Sequence, residues 1–241
     1  MPVVCALDIE TTGLKKETDV ITVICLKLYD TCSRRVVRAD DLNVCLARED
    51  AQHAETEMKL YVRTVLNGSD KILAYNGRSF DIPFLSAWIA AGDTALCQAW
   101  QGKTIDFLHE AKVRINQYIS MDKVAKDNAL AISKIATGLQ AIQWAQERQW
   151  QLLVEYCSAD VDVLVQIFER ALGEHGLKMV GKARKFGGDG PPACITLFVG
   201  DGLECVAGET KEPTAARHVE PARKEVVACQ SAEDIDSIFG M

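Results

Sequence analysis

Two acidic residues interrupt the first apolar run of the chain. The segment Val3–Ile9 is apolar on both of the faces that a strand presents, which predicts a central strand of a sheet. Asp8 and Glu10 are two residues apart, so both carboxylates point to the same face of that strand. Burying two like charges side by side is costly unless a cation holds them. The pair is compatible with a metal site, and also with Glu10 standing in water at the open end of the strand.

A third acidic residue, Asp160, lies on a stripe of apolar residues with helical periodicity. At about 100° per residue, a single arc forms the predicted inward face. Its members are Leu153, Tyr156, Asp160, Val163, Leu164 and Ile167. An acid in the middle of such a face must be paired with a base, protonated or bound to a cation. Tyr156 lies one helical turn before Asp160, so the phenol and the carboxylate are neighbours. Asp162 points the opposite way and is expected to be an ordinary solvated charge.

Asp81 admits two interpretations. It precedes a predicted helix with Pro83 in the first turn, which is the usual place of a helix N-cap. It also follows a short predicted strand, and ligands collect at the carboxyl ends of strands in α/β sheets. Four acids from separate segments can therefore meet at one edge of a sheet. Such oxygen ligands suit Mg²⁺ or Mn²⁺, and two ions would stabilise both the attacking and the leaving oxygen of a phosphodiester displacement.

The elements that must position these acids follow from hydrophobic periodicity. Residues 121–172 are predicted to be mostly helical, with a break near Gly138. Strands followed by alternating strands and helices indicate a mixed α/β sheet. Further strands are predicted over residues 19–28, 34–38, 71–75 and 104–108, and helices over residues 51–66 and 81–91.

Composition narrows the class of protein. The chain has 241 residues, of which 48% are hydrophobic and 25% charged, and this excludes a mostly disordered chain. No apolar run approaches the roughly 20 residues of a membrane helix, and Asp8 and Glu10 occupy the place of a signal peptide's apolar region. We therefore expect a cytoplasmic or nuclear protein without a membrane partner. The net charge of -7 argues against coating duplex DNA, and nine scattered cysteines without a CxxC pair argue against disulfides or zinc.

The last quarter of the chain differs in composition. Its basic cluster comprises Lys178, Lys182, Arg184 and Lys185. Such a cluster either follows a nucleic acid backbone or is simply solvated. Residues 194–199 and 203–206 flank a Gly-Asp-Gly turn and predict a hairpin. From residue 208 onward the sequence is polar, so a disordered tail is expected.

Three segments together resemble the motifs of the DEDD 3′–5′ exonucleases, a family with a ribonuclease H-like fold. They are Leu7–Leu14 (LDIETTGL), Ala74–Leu85 (AYNGRSFDIPFL) and Tyr156–Val161 (YCSADV), in the order that the family uses. The resemblance implies a mixed five-stranded α/β sheet flanked by helices. It also implies an exonuclease domain over residues 1–176. The family pattern does not extend to the rest of the chain, where composition predicts a basic segment with a possible β-hairpin as a small C-terminal extension over 177–207 and a disordered tail over 208–241.

The resemblance assigns chemical roles to five residues. The acids that would bind two Mg²⁺ or Mn²⁺ ions are Asp8, Glu10, Asp81 and Asp160. The family divides by its water-activating residue. Tyr156 stands four residues before the last Asp, as the tyrosine of the tyrosine (DEDDy) branch does, so the chain resembles that branch. That branch includes the proofreading domains of DNA polymerases. Because a tyrosine is a poor base near neutral pH, Tyr156 would orient the attacking water.

The resemblance also implies contacts with the substrate. The backbone amide of Thr11 would bond the 3′-hydroxyl, and Leu14 would wedge against the last base. Asn76 and Phe80 would hold the next nucleotide, the ring by stacking. For Leu14 and Phe80, packing in the core is the competing interpretation.

The expected activity is metal-dependent hydrolysis of the 3′-terminal phosphodiester of DNA, with RNA less favoured, releasing nucleoside 5′-monophosphates. The expected partners are single-stranded DNA or RNA 3′ ends, and a mismatched duplex is an open alternative. The alternative is a non-catalytic module on the same fold that binds nucleic acid ends or a replication protein. Loss of one or more acids would mark that alternative, and all four are present. The sequence Asp234–Phe239 suggests a peptide through which the tail docks on a replication or repair protein.

Overall fold

A mixed five-stranded sheet forms the framework of the chain. Its strands are β1 (Val3–Thr11), β2 (Ile21–Asp30), β3 (Arg35–Asn43), β4 (Lys71–Ala74) and β5 (Thr104–Asp106), in the spatial order β3-β2-β1-β4-β5. β1 pairs antiparallel with β2 and parallel with β4, and β4 pairs parallel with β5. The carboxyl ends of β1, β4 and β5 therefore lie at the same edge of the sheet. This arrangement confirms the predicted ribonuclease H-like fold class.

This computed structural model describes residues 2–50, 52–131, 137–181, 193–200 and 202–208. Three members of the basic cluster, Lys182, Arg184 and Lys185, lie outside the described residues. The same holds for the predicted tail from residue 209 and for its docking peptide.

Helices cover both faces of the sheet. They are α1 (Val44–Asp50), α2 (Gln52–Gly68), α3 (Asp81–Ile89), α4 (Thr94–Lys103), α5 (Phe107–Ile115), α6 (Met121–Asp127), α7 (Gly138–Gln146) and α8 (Trp150–Ala171). α2, α3 and α4 pack on one face, and α5 to α8 contribute to the core on the other. Among the described helices, none combines the length and the apolar character that crossing a membrane requires.

β1 separates the two cores. Cys5, Leu7 and Ile9 are buried against α2, α3 and α4, whereas Val4 and Ala6 are buried in the core that contains α8. Side chains alternate along a strand, so a strand covered on both faces is apolar at nearly every position. The same alternation directs the side chains of Asp8 and Glu10 toward α8.

The buried face of α8 is centred differently from the prediction. Its middle is formed by Cys157, Val161 and Leu164, and Tyr156 and Asp160 lie half-buried beside it. The prediction that Asp160 occupies the centre was wrong, because the predicted arc left out Cys157 and Val161. Asp160 is therefore partly exposed, and it is close enough to Asp8 and Glu10 of β1 for its charge to act on both.

Asp162 forms an ion pair that the sequence does not suggest. Its Oδ2 lies 3.0 Å from Nζ of Lys27, a residue of β2 whose side chain is 8% exposed. The Lys27 ammonium also donates to the Ser158 carbonyl at 3.1 Å. The expectation of a purely solvated charge was wrong, and the pair fastens α8 to the sheet.

A second, antiparallel sheet follows α8. It contains β6 (Leu177–Val180), β7 (Cys194–Val199) and β8 (Cys205–Ala207), in the order β6-β7-β8. β7 and β8 pair antiparallel where the hairpin is expected, and β6 is an additional strand. Leu177, Met179 and Leu197 are fully buried in the core that contains α8. The small sheet thus shares its apolar interior with the larger one.

Candidate active site

Asp8 and Glu10 meet α8 at the end of β1. One oxygen from each carboxylate and the Cys157 sulfur all lie within 4.8 Å of one another. The Cys157 thiol donates a hydrogen bond of 3.3 Å to the backbone carbonyl of Asp8, which fixes the middle of α8 against the strand. The acid pair of the first strand is therefore held beside the helix that carries Asp160.

Asp81 is buried, and it reaches β1. Its side chain is only 3% exposed, and its Oδ1 accepts a hydrogen bond of 3.2 Å from the backbone amide of Ile9. The N-cap interpretation was wrong, because Asp81 is the first residue of α3 and Phe80 holds the cap position. The carboxylate thus links the start of α3 to the strand between Asp8 and Glu10.

The Tyr156 phenol lies close enough to the Asp160 carboxylate for the two groups to interact, as their spacing of one helical turn predicts. On the other side, the ring of Trp144 in α7 packs edge-on against Tyr156, with centroids 6.3 Å apart. Burial is the main cause that raises the pKa of the Tyr156 phenol above its usual value, and the charges of Asp160 and Glu10 add to it. The phenol therefore remains protonated at neutral pH.

The charges at this edge of the sheet repel one another. Burial raises the pKa of Asp8 well above its usual value, and the charges of Asp81, Glu10 and Asp160 raise it further. Burial, Asp160 and Asp81 raise the pKa of Glu10 to about 8. Burial, followed by the charge of Asp106, raises the pKa of Asp81 to about 7. The strongest neighbouring charges on all three groups are negative.

These donors fit a divalent cation with a preference for oxygen. Carboxylates from β1, α3 and α8 provide hard ligands, and their mutual repulsion would be relieved by a positive ion. The thiol of Cys157 is a poorer candidate ligand. Burial raises its pKa well above the usual value, and it already donates to a carbonyl. A soft metal such as zinc would require the thiolate.

The loop after β1 presents Leu14 to solvent. Thr11 is buried at the end of the strand, whereas Leu14 is 77% exposed, so the core-packing alternative does not hold for Leu14. The loop is closed by a hydrogen bond of 2.7 Å from the amide of Lys15 to Oδ2 of Asp19. The structure thus holds an exposed apolar side chain three residues beyond Thr11.

Phe80 belongs to the apolar core. It is half-buried against the core of α2, α3 and α4, and its ring centroid lies 4.9 Å from that of Phe84. Core packing therefore describes Phe80 better than a free stacking surface does. Of the four residues expected to contact substrate, Leu14 is the one with a freely exposed side chain.

Asp106 organises the turn that carries Asn76, although it lies outside the three sequence motifs. Its carboxylate is 2% exposed and accepts three backbone hydrogen bonds of 3.0 Å, from Asn76, Arg78 and His109. Asn76 is left-handed, with φ of 70°. The available signal was an Asp between an apolar strand and a helical pattern, which is typical of an N-cap.

Gly77 completes this turn. A Cβ atom at this position would lie 2.2 Å from Cβ of Ala74 and 3.5 Å from Oδ2 of Asp81. Only a glycine therefore lets the turn pass beside the Asp81 carboxylate without displacing β4. The second sequence motif owes its Gly to this close approach.

Comparison with known proteins assigns the family. The profile of the RNase_H superfamily matches residues 5–172, and the chain belongs to this superfamily. No curated protein matches the chain in sequence.

Solved structures are similar to the chain at low sequence identity. A family B DNA polymerase from the hyperthermophilic archaeon Pyrobaculum calidifontis is similar with a TM-score of 0.54 and 16% identity, over 71% of this chain and 25% of the polymerase. E. coli exonuclease I in complex with a dT13 oligonucleotide matches with a TM-score of 0.42 and 12% identity, over 83% of this chain and 52% of that protein. The chain therefore spans a quarter to a half of these proteins, and its likeness to the polymerase is one of fold.

Proposed function

We propose that this protein is a metal-dependent 3′–5′ exonuclease that releases nucleoside 5′-monophosphates from the 3′ end of single-stranded DNA. The observation that carries the proposal is the convergence of Asp8, Glu10, Asp81 and Asp160, whose charges act on one another at one edge of the sheet. Membership of the RNase_H superfamily supports a nuclease. The form of the second motif resembles that of DNA polymerases, which favours DNA over RNA.

The four acids would hold two Mg²⁺ or Mn²⁺ ions. When bound, such ions lower the pKa of a coordinated water and neutralise the charge that develops on a phosphodiester. The protein's own contribution is to hold the carboxylates on three rigid elements. The hydrogen bond from Ile9 to Asp81 and the thiol bond from Cys157 to Asp8 fix those elements relative to one another.

Tyr156 would orient the attacking water. Its raised pKa keeps the phenol protonated at neutral pH, so it acts as a hydrogen-bonding group rather than as a base. Asp160 and the ring of Trp144 hold the phenol in place from two sides. These features support the tyrosine branch of the DEDD exonucleases.

Thr11 and Leu14 would position the 3′ end. The backbone amide of Thr11 would bond the terminal hydroxyl, and the exposed Leu14 side chain would wedge against the last base. Exposing the apolar side chain of a leucine to water is unfavourable, and contact with a base would remove that surface from water. Asn76 lies at the end of the next strand, where it would contact the following nucleotide.

The test is degradation of a 5′-labelled single-stranded oligonucleotide by the purified full chain with Mg²⁺ or Mn²⁺. Asp8→Ala and Asp160→Asn are expected to abolish shortening, and Tyr156→Phe to slow it by up to about 100-fold because only orientation is lost. The matched control is Glu155→Gln, since Glu155 is exposed on α8 next to Tyr156. Matched DNA and RNA strands of one sequence determine the preferred substrate.

The outcomes separate the two candidate functions. Undiminished degradation by either purified acid variant, with an unchanged melting temperature, refutes the assignment of the site. Full-length protein that binds a 3′ end with Mg²⁺ and never shortens it would instead support the non-catalytic binding module.

A further inference from the structure

An exposed aromatic ring lies next to the turn that carries Asn76. Tyr118 follows α5 and is 65% exposed. The ammonium of Lys112, in the last turn of α5, lies 4.4 Å from the centroid of the Tyr118 ring. The same ammonium donates a hydrogen bond of 3.3 Å to Oδ1 of Asn76. A cation, an aromatic ring and a carboxamide thus form one contiguous group, here called the Tyr118 group.

The segment that presents Tyr118 is anchored on both sides. Asn116 ends α5 in the left-handed conformation, with φ of 51°, and its amide donates to the Lys112 carbonyl at 3.1 Å. Beyond Tyr118, the carbonyl of the buried Ile119 accepts a hydrogen bond of 2.6 Å from the hydroxyl of Tyr75. Tyr75 directly follows β4. The backbone that carries Tyr118 is therefore bonded to the framework on both sides, at Asn116 and at Ile119.

The exposure of Tyr118 is unusual for this protein. Within the described residues, it is the only aromatic side chain among the large apolar groups that are exposed. The ammonium of Lys112 stands over the ring, while about two thirds of the side chain stays open to solvent. An aromatic surface left open beside a cation provides the two contacts that single-stranded nucleic acid uses most, base stacking and neutralisation of phosphate.

The Tyr118 group lies at the same sheet edge as the acids. Asn76 follows β4, and its amide is bonded to Asp106 at the end of β5. Leu73 of β4 pairs with Ala6 on one side and with Ile105 on the other. Adjacent strands are about 4.8 Å apart, so the end of β5 is about 10 Å from β1 at the level of Ala6, two residues before Asp8. The turn that begins at Asn76 leads directly to Asp81 through hydrogen bonds from Phe80 to Asn76 and from Ile82 to Gly77. This distance fits a nucleotide that lies a few positions from the 3′ end of a nucleic acid whose terminus is bound at β1.

We propose that Tyr118 and Lys112 form a subsite for the second or third nucleotide from the 3′ end. The Tyr118 ring stacks on the base, and the Lys112 ammonium contacts a neighbouring phosphate. The inference rests on the proposed nuclease function and deepens it, because it identifies a single strand with an unpaired base at that position as the substrate. Stacking on a ring does not distinguish the four bases, so the subsite is sequence-tolerant.

The first experiment measures binding without cleavage. In an Asp8→Ala background, a fluorescently labelled single-stranded DNA is titrated in the presence of Mg²⁺ and its anisotropy is followed. Tyr118→Ala is expected to weaken binding by about tenfold, within the range for one stacked base, and Tyr118→Phe is expected to retain most of the affinity. Val113→Ala is the matched control, because Val113 is equally exposed on α5 next to Lys112.

An abasic scan locates the base that stacks. An abasic sugar at the second or third position from the 3′ end is expected to weaken binding of the Tyr118-containing protein by about tenfold, and one at the sixth position by much less. In Tyr118→Ala, the sensitivity at the second and third positions disappears because the stacking partner is already gone. Lys112→Gln is expected to lower the slope of log K against log salt by about one.

Kinetic measurements on the active protein distinguish a failure of the subsite from a failure of the nuclease assignment. In the active protein, Tyr118→Ala is expected to raise KM for an oligonucleotide by about tenfold while kcat changes much less. If Tyr118→Ala binds and degrades the strand like wild type, the subsite is refuted and the nuclease assignment stands. If wild type shortens no strand yet binds one through Tyr118, the nuclease assignment fails and the subsite stands. Equal abasic sensitivity in wild type and Tyr118→Ala also overturns the subsite.

Discussion

At the scale of single residues, the candidate site is a set of buried and half-buried acids whose charges destabilise one another. Glu10 illustrates this, since burial and the charges of Asp160 and Asp81 hold its pKa at about 8, against 4.5 for an ordinary glutamate. Below about pH 4.5 the folded and unfolded states both carry the proton. Between that pH and 8 the unfolded state releases the proton while the folded state retains it, so stability falls as the pH rises.

Replacing Glu10 should therefore change how stability depends on pH. Glu10→Gln is expected to raise the melting temperature of the metal-free protein at pH 8 by several degrees, because about 1 kcal/mol corresponds to roughly 2–4 °C in a chain of this size. At pH 4 the variant and wild type should differ much less. Thermal unfolding in a chelator at pH 4, 6 and 8 measures the effect.

Adding a metal gives the complementary result. Mg²⁺ or Mn²⁺ is expected to raise the melting temperature of wild type at pH 8 and to raise that of Glu10→Gln less. A variant that keeps the pH slope and the metal response of wild type would contradict the role given to Glu10.

At the scale of elements, α8 is fastened to the sheet by an asymmetric ion pair. Lys27 of β2 is buried, with 8% of its side chain exposed, whereas 47% of the Asp162 side chain is exposed. Removing one member of such a pair is costly when the remaining charge is buried, and cheap when the remaining charge is solvated. The two halves of the pair should therefore respond differently to substitution.

We expect Asp162→Asn to destabilise the protein more than Lys27→Met does. The first change leaves the buried ammonium with the Ser158 carbonyl as partner, at a cost of about 1–3 kcal/mol. The second leaves a carboxylate that water solvates, at a cost below about 1 kcal/mol. Urea unfolding of both variants measures the free energies of unfolding, and the reverse order would contradict this account.

Local patterns predicted some elements well and others poorly. The sequence predicts β1 because the strand is apolar at nearly every position. That composition is expected of a strand that helices cover on both faces. The mostly apolar residues 104–108 predict one strand, whereas the strand ends at Asp106, which caps α5, and the helix begins at Phe107. β6 was missed because Lys178 interrupts a strand of four residues. The bond from Ile9 to Asp81 spans 72 positions, and no local pattern reports a contact of that range.

At the scale of the whole molecule, the two sheets share one apolar interior. Met179 of β6 and Leu197 of β7 are fully buried in the core that contains Leu164 and Phe168 of α8. Two sheets that share a core are expected to unfold together. The division at residue 176 that the sequence suggests would then mark a change of architecture within one folding unit.

Calorimetry is expected to give a single unfolding transition for the full chain. Met179→Ala should lower the free energy of unfolding by about 2–5 kcal/mol, because a buried side chain is truncated. Val206→Ala in β8 is the control, since Val206 is 42% exposed and should change stability by less than about 0.5 kcal/mol. A second transition that Met179→Ala alone shifts would show that the small sheet unfolds independently.

The hydrogen bond between Cys157 and Asp8 joins residues that are 149 positions apart. During synthesis, the ribosome completes the first strand long before the last long helix emerges. A nascent chain that ends before this helix contains the acids of β1 without the helix that packs against them. If the proposed nuclease function holds, the chain is expected to gain activity only after α8 has been synthesised and has packed against β1.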